Sequence, residues 1–116
     1  MKQFIRSLGF AINGLRIAVA SQPHMKFHLG AAMLVAATGI YFNLSGVEWG
    51  LVILAIGLVI SAELMNSAVE GLVDFIESKR NQQAGRIKDI AAGGVLVASM
   101  AALAIGVLVF YKYIFA

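Results

Sequence analysis

The sequence predicts an all-α integral membrane protein, with an N-terminal amphipathic surface helix followed by three transmembrane helices. Composition is the first reason. Of 116 residues, 60% are apolar and 13% charged, and the mean hydropathy is +0.87. A soluble domain has about half apolar and about a quarter charged residues. Patterning is the second: three apolar stretches, about 29–47, 49–76 and 90–114, are long enough to cross a bilayer. Basic residues gathered on one side of those stretches are the third. Residues 1–116 read as a single membrane domain. Cysteine is absent, which excludes disulfides and thiolate metal sites. No signal peptide is expected, because Arg6, Asn13 and Arg16 interrupt any apolar leader core.

Residues 1–21 carry Ile5, Leu8, Ile12, Leu15 and Val19 in steps of three and four, an apolar stripe. Lys2, Arg6, Asn13 and Arg16 lie off that stripe. Such a helix lies in the membrane interface, with its cations among anionic headgroups. Residues 22–28, QPHMKFH, form a break, because Pro23 disfavours helix at Gln22 and suits the first turn of the next helix. His24 and His28 are spaced to share a metal, but no third ligand accompanies them, and a headgroup-level position is favoured. The first span, 29–47, runs into a short link, NLSGVE (43–48), that overlaps its end.

The second span, from Trp49, runs without a break into ELMNSAVEGLVD (63–74). Glu63, Asn66, Glu70 and Asp74 fall within an arc of roughly 80° on a helix of about 100° per residue. Counted from Trp49 as an interface anchor, Glu63 lies about 21 Å deep and Glu70 about 32 Å, across a hydrocarbon core of about 30 Å. A charged group inside that layer costs about 2.5–3.5 kcal/mol on insertion scales, so it faces protein or water.

Residues 77–89, ESKRNQQAGRIKD, read as the one markedly polar loop. The third span carries Gly94, Ala98, Ala102 and Gly106 at four-residue intervals, a ridge that permits close helix approach within or between subunits. Eight of the nine basic residues (all but Lys112) fall on the N-terminal side, as do five of the six acids. The positive-inside rule then places the N-terminus and the 77–89 loop in the cytoplasm and the C-terminus outside. No nucleic-acid partner is expected. Three spans can hardly enclose a polar cleft alone, which favours an oligomer with sites between protomers.

Glu63, Asn66 and Glu70 supply the parts for metal-assisted phosphoryl transfer. Carboxylates hold Mg²⁺ through one or two oxygens while substrate phosphates supply others, and a desolvated Glu suits a general base. Lys88 can neutralise phosphate charge, with Asp89 orienting it or helping to hold metal. No Walker-type or kinase glycine-rich loop is present. The competing reading is a small proton- or cation-coupled transporter using Glu63. It calls for polar groups across the whole bilayer, whereas Ser61, Glu63, Asn66, Ser67 and Glu70 cluster on one half. A structural or regulatory subunit is the third reading, and it leaves the acidic face unexplained.

ELMNSAVEGLVD followed by AGRIKDIAAGGVL resembles the prokaryotic diacylglycerol kinase family, which includes undecaprenol kinases, and the similarity covers nearly the whole chain. The resemblance implies a homotrimer in the bacterial inner membrane that transfers the γ-phosphoryl group of ATP to a lipid hydroxyl with Mg²⁺, at sites between subunits. By motif position Glu63 matches the catalytic base, Asn66 a site-organising amide and Glu70 a metal ligand. Lys88 and Asp89 match the nucleotide-phosphate pair. Arg6, Phe10, Lys79, Arg80 and Asn81 match nucleotide-contact regions. Gln22 stands where the family often has a second metal-ligating Glu, and its amide oxygen offers Mg²⁺ less charge. ESKRNQQ replaces an acidic-aromatic-His stretch of many relatives. HMKFH resembles the undecaprenol-kinase branch, which favours a polyprenol as acceptor ahead of diacylglycerol.

Overall fold

The computed structural model describes residues 1–115; Ala116, the last residue of the expected domain, lies outside them. Four helices account for almost all of it: α1 (Lys2–Ser21), α2 (Pro23–Phe42), α3 (Gly46–Ile76) and α4 (Gln82–Phe115). The last three are long and apolar enough to span a membrane, and the protein is an all-helical, multi-pass membrane protein.

Local chemistry sets each boundary. Gln22 is extended (φ −110°, ψ 111°) and Pro23 opens α2, where its missing N–H is no loss. The first apolar helix therefore starts at Pro23, not 29, and it ends at Phe42, not 47. Asn43 stops it in the left-handed region at φ 57°, a conformation that asparagine tolerates better than most residues. Ser45 then starts α3. Its hydroxyl accepts from the Glu48 N–H at 3.2 Å, and Glu48 Oε1 accepts from the Ser45 N–H at 2.9 Å. This reciprocal capping box is legible as Ser-x-x-Glu.

The 77–89 loop is corrected to 77–81. Asn81 caps α4 through Oδ1, which accepts from the N–H groups of Gln83 (2.8 Å) and Ala84 (3.1 Å). Residues 82–89 consequently form the first turns of a 34-residue helix, about 51 Å long at about 1.5 Å per residue. Their polarity reflects a helix extending past the hydrocarbon layer, not a loop.

Helix α3 touches all three others and packs most extensively on α4. Its buried residues, Glu48, Val52, Ala55, Glu63 and Asn66, share an arc of roughly 80°. One stripe thus supplies both the apolar core and the polar site. Leu44, Val52 and Val109 form the core at the end of the bundle away from the N-terminus, with Trp49, Ile105 and Phe110 against them. Most other large apolar side chains face outward, as Leu103 (70% exposed) and Leu108 (79%) do. Lipid is as apolar as leucine, so such residues gain little from turning inward. The small-residue ridge of α4 divides: Ala98 is buried at 5%, whereas Ala102 and Gly106 line an open groove.

Gly39 of α2 is buried against the Trp49 ring of α3 and the Leu44 side chain. A Cβ there would lie 2.8 Å from the Trp49 ring and 3.0 Å from Leu44. Gly39→Ala should lower the thermal midpoint in micelles, because overpacking of about 1–3 kcal/mol exceeds the helix-propensity gain of about 1 kcal/mol. An unchanged or higher midpoint would show that Trp49 swings aside freely.

Candidate active site

Glu63 and Asn66 sit in the middle of the bundle, 2% and 6% exposed. An antiparallel α2–α3 hairpin with a tight Asn43–Ser45 turn carries His28 to the level of Glu63, and Nε2 stands 3.3 Å from Glu63 Oε2. His24, one turn earlier, is exposed. The pairing weighed between His24 and His28 therefore gives way to one across two helices. Counting comparable numbers of turns back and forward from the 43–45 break was the available signal for it.

One turn on, Asn66 Nδ2 donates to Glu70 Oε1 at 3.3 Å. Among the described residues Asn66 Oδ1 is buried with no partner, and so is Ser67 Oγ. Glu70 is half-buried with Oε2 outside that bond. Gln22 lines a cavity of about 650 Å³ between α1 and α3, together with Ser67 and Gly71 on the flank of the same stretch. Among the described residues no three His, Cys, Asp or Glu side chains converge. A divalent cation here would rest on one or two carboxylates and on oxygens brought by its ligand. That donor set fits Mg²⁺ with a polyphosphate, and the unpartnered Asn66 oxygen is a neutral acceptor that a cation or an N–H or O–H donor would satisfy.

Lys88 of α4 pairs with Asp74 of α3 and not with Asp89. Neighbouring residues point about 100° apart on a helix, so Lys88 reaches α3 while Asp89 projects outward. Lys88 thus meets Asp74, the fourth residue of the predicted acidic face, and among the described residues it makes no ion pair with Asp89, which was expected to orient it or to help hold metal. Arg6, Phe10, Lys79 and Arg80 are exposed. None of them has a hydrogen bond or ion pair to Glu63, Asn66 or Glu70 among the described residues. Asn81 spends its Oδ1 on the α4 cap, leaving only its amide N–H groups free.

Two further features went unread in the sequence. An apolar groove of about 620 Å³ opens between α2 and α4, floored by Val59 of α3 and bounded by His28, Ala31, Ala102, Gly106 and Phe110. Its size is that of a ligand cleft. It exists because α2 and α4 each pack on α3 more than on one another, and because small residues line its α4 wall. At the far end, Glu48 accepts from Tyr113 OH at 2.5 Å and pairs with Lys112 at 3.0 Å. Phe42 packs on the Tyr113 ring at 5.5 Å. This cluster ties the C-terminal ends of α2 and α4 to the N-terminal end of α3.

From Gly9 in α1 to Phe110 in α4, the chain matches prokaryotic diacylglycerol kinase (residues 9–110). It belongs to that family. The family match takes in every residue of the buried stripe and the groove's inner end, and it leaves Arg6 outside. Among relatives, an undecaprenol kinase of Bacillus subtilis is 36% identical over 95% of this chain and 89% of its own length. The diacylglycerol kinase of Escherichia coli is 29% identical over 87% and 83%. That of Synechocystis is 31% identical over 86% of this chain and 58% of its own. The family resemblance carried by ELMNSAVEGLVD and AGRIKDIAAGGVL is thereby borne out.

Proposed function

We propose that this protein is a membrane lipid kinase that transfers the γ-phosphoryl group of ATP to the hydroxyl of a lipid alcohol, undecaprenol ahead of diacylglycerol. One observation carries it beyond family membership: His28 both lines the apolar groove and contacts Glu63, so a groove-lining side chain touches a buried carboxylate. In this reading an amphiphile with its tail in the groove has its polar end at His28, beside that carboxylate. The 36% identity to an undecaprenol kinase supports the polyprenol as first choice.

In this reading Glu63 takes the proton of the lipid hydroxyl as the oxygen attacks the γ-phosphorus, and ADP departs with the electrons of the broken P–O bond. Asn66 holds Glu70 in place through its amide N–H. Glu70, with Asn66 Oδ1 or Gln22 as neutral oxygens, would hold Mg²⁺, which when bound offsets charge on the nucleotide phosphates. Lys88, with exposed Asp89 beside it, meets the phosphates. Arg6, Phe10, Lys79, Arg80 and Asn81 are offered as nucleotide contacts. None of them bonds to the stripe within one chain, which favours sites completed by a neighbour, and the family resemblance makes that assembly a homotrimer. The basic end faces the cytoplasm across the bacterial inner membrane. Nothing supports transport: between Glu48 and Glu63 the α3 stripe is Val52, Ala55, Ile56 and Val59, which relay no proton.

The deciding assay is phosphate transfer from γ-labelled ATP by purified protein in micelles, given undecaprenol or diacylglycerol, with and without Mg²⁺. Mg²⁺-dependent labelling of either lipid establishes the kinase and names its acceptor; labelling of neither, by folded protein, overturns it. Within that assay Lys88→Met should raise the KM for ATP about tenfold or more, the scale of a hydrogen bond to a charged group. Asp74→Asn should change it less than about fivefold, because an exposed ion pair is worth at most about 1 kcal/mol. Equal effects of the two would assign Lys88 to helix tethering alone.

A further inference from the structure

His28 is where the groove and the buried carboxylate meet. Its side chain is 14% exposed, that of Glu63 is 3% exposed, and Nε2 to Oε2 is 3.3 Å. Among the described residues no other polar side chain is bonded to Glu63. The nearest amide along the helix, that of Asn66, is directed to Glu70. The motif resemblance gives roles to Glu63, Asn66 and Glu70, and it gives His28 none. In the groove lining, His28 stands with Ser99 and Tyr111 as the residues with polar side chains. A buried carboxylate anchored through one oxygen has its plane and rotamer fixed, and its second oxygen remains available. That is the preorganisation a general base requires, since a small misplacement at a reacting centre is costly.

Resting on the lipid-kinase reading, we propose that His28 is a positioning residue for Glu63. With its proton on Nε2, the imidazole donates to Oε2 and turns Oε1 towards the acceptor hydroxyl arriving along the groove. In the transfer the lipid oxygen forms its bond to the γ-phosphorus as the bond from that phosphorus to the ADP oxygen breaks, and ADP keeps the electron pair. The hydroxyl proton passes to Oε1 and is afterwards released to water. The proton on His28 Nε2 stays where it is throughout. His28 thus acts on the reaction only through Glu63, and its loss alters the rate of the bound complex more than the affinity for either substrate.

The bland alternative is a tie between α2 and α3, and paired amides separate the two. Gln carries its amide nitrogen to the place of Nε2, whereas Asn reaches only that of Nδ1. Both are polar, and the fold of each is checked by helix content and oligomer size. His28→Gln should keep kcat within about threefold, while His28→Asn and His28→Leu lose about 10- to 100-fold with both KM values within about twofold. In a Glu63→Gln background the same replacements should leave the residual rate unchanged. Equal kcat for the Gln and Asn variants would overturn the proposal. So would a loss confined to the lipid KM, or an undiminished loss in the Glu63→Gln background. Wild-type protein that labels neither lipid removes the underlying kinase reading first, and the positioning role falls with it.

Discussion

Replacing Glu63 by Gln is expected to lower phosphate transfer by about 10²- to 10⁴-fold, the range attributed to a general base. The fold should survive it. Gln has the same shape, its carbonyl oxygen can still accept from His28 Nε2, and the buried site at 2% exposure no longer holds an ionisable group. Removing a buried charge while keeping its hydrogen bond is neutral or stabilising, so the thermal midpoint should hold or rise. Activity and stability therefore move in opposite directions, which a packing role cannot produce. Glu63→Asp makes the complementary case. It keeps the charge but withdraws it by one methylene from both His28 and the groove, and about 1 Å of misplacement can cost about 100-fold. Retention of most activity by Glu63→Gln, or full activity of Glu63→Asp, would move the base elsewhere.

What was legible in the sequence follows from what a helix makes local. Glu63, Asn66, Glu70 and Asp74 share a face because spacing fixes angle, and the buried stripe and the Asn66–Glu70 bond conform to it. The break at Gln22–Pro23 was legible because proline acts on its own neighbours. Contacts between helices were not. His28 reaches Glu63, and Tyr113 reaches Glu48, only through the register of antiparallel pairs. That register is set by the turns at Asn43–Ser45 and at 77–81, which hydropathy does not encode. The 77–89 stretch misled for a related reason. Polarity alone suggests a loop, although Asn81 is a strong N-cap residue and the one weak helix former from 82 to 89, Gly85, does not end the helix. The helical start is what lets Lys88 face Asp74 while Asp89 turns away. The groove was hidden for a third reason: apolar residues lining a cleft and apolar residues facing lipid look the same in sequence.

Glu70→Gln is expected to raise the Mg²⁺ concentration for half-maximal activity about tenfold or more, with kcat at saturating metal reduced far less than in Glu63→Gln. The structure favours a metal effect over a folding effect. Glu70 is half-buried, and its Oε1 accepts from Asn66 Nδ2. A Gln carbonyl can keep that bond, so the geometry of the turn persists while one negative charge is lost. Mg²⁺ is bound through few protein carboxylates, so losing one removes a large share of the protein's part in holding it. Mn²⁺, which binds nitrogen and oxygen sites at its own place in the affinity order and dehydrates differently, should shift the titration of the variant and the wild type by unequal amounts. Asn66→Ala gives a contrast: it deletes the unpartnered Oδ1 and frees Glu70 to move, so both kcat and the Mg²⁺ requirement should worsen. Gln22→Glu supplies a carboxylate at the cavity beside Ser67 and Gly71 and should lower the Mg²⁺ requirement of the wild type and partly restore that of Glu70→Gln. An unchanged titration in Glu70→Gln would reduce the Asn66–Glu70 bond to an ordinary pair one helical turn apart, and the metal would have to be carried by the nucleotide with a residue from a neighbouring subunit.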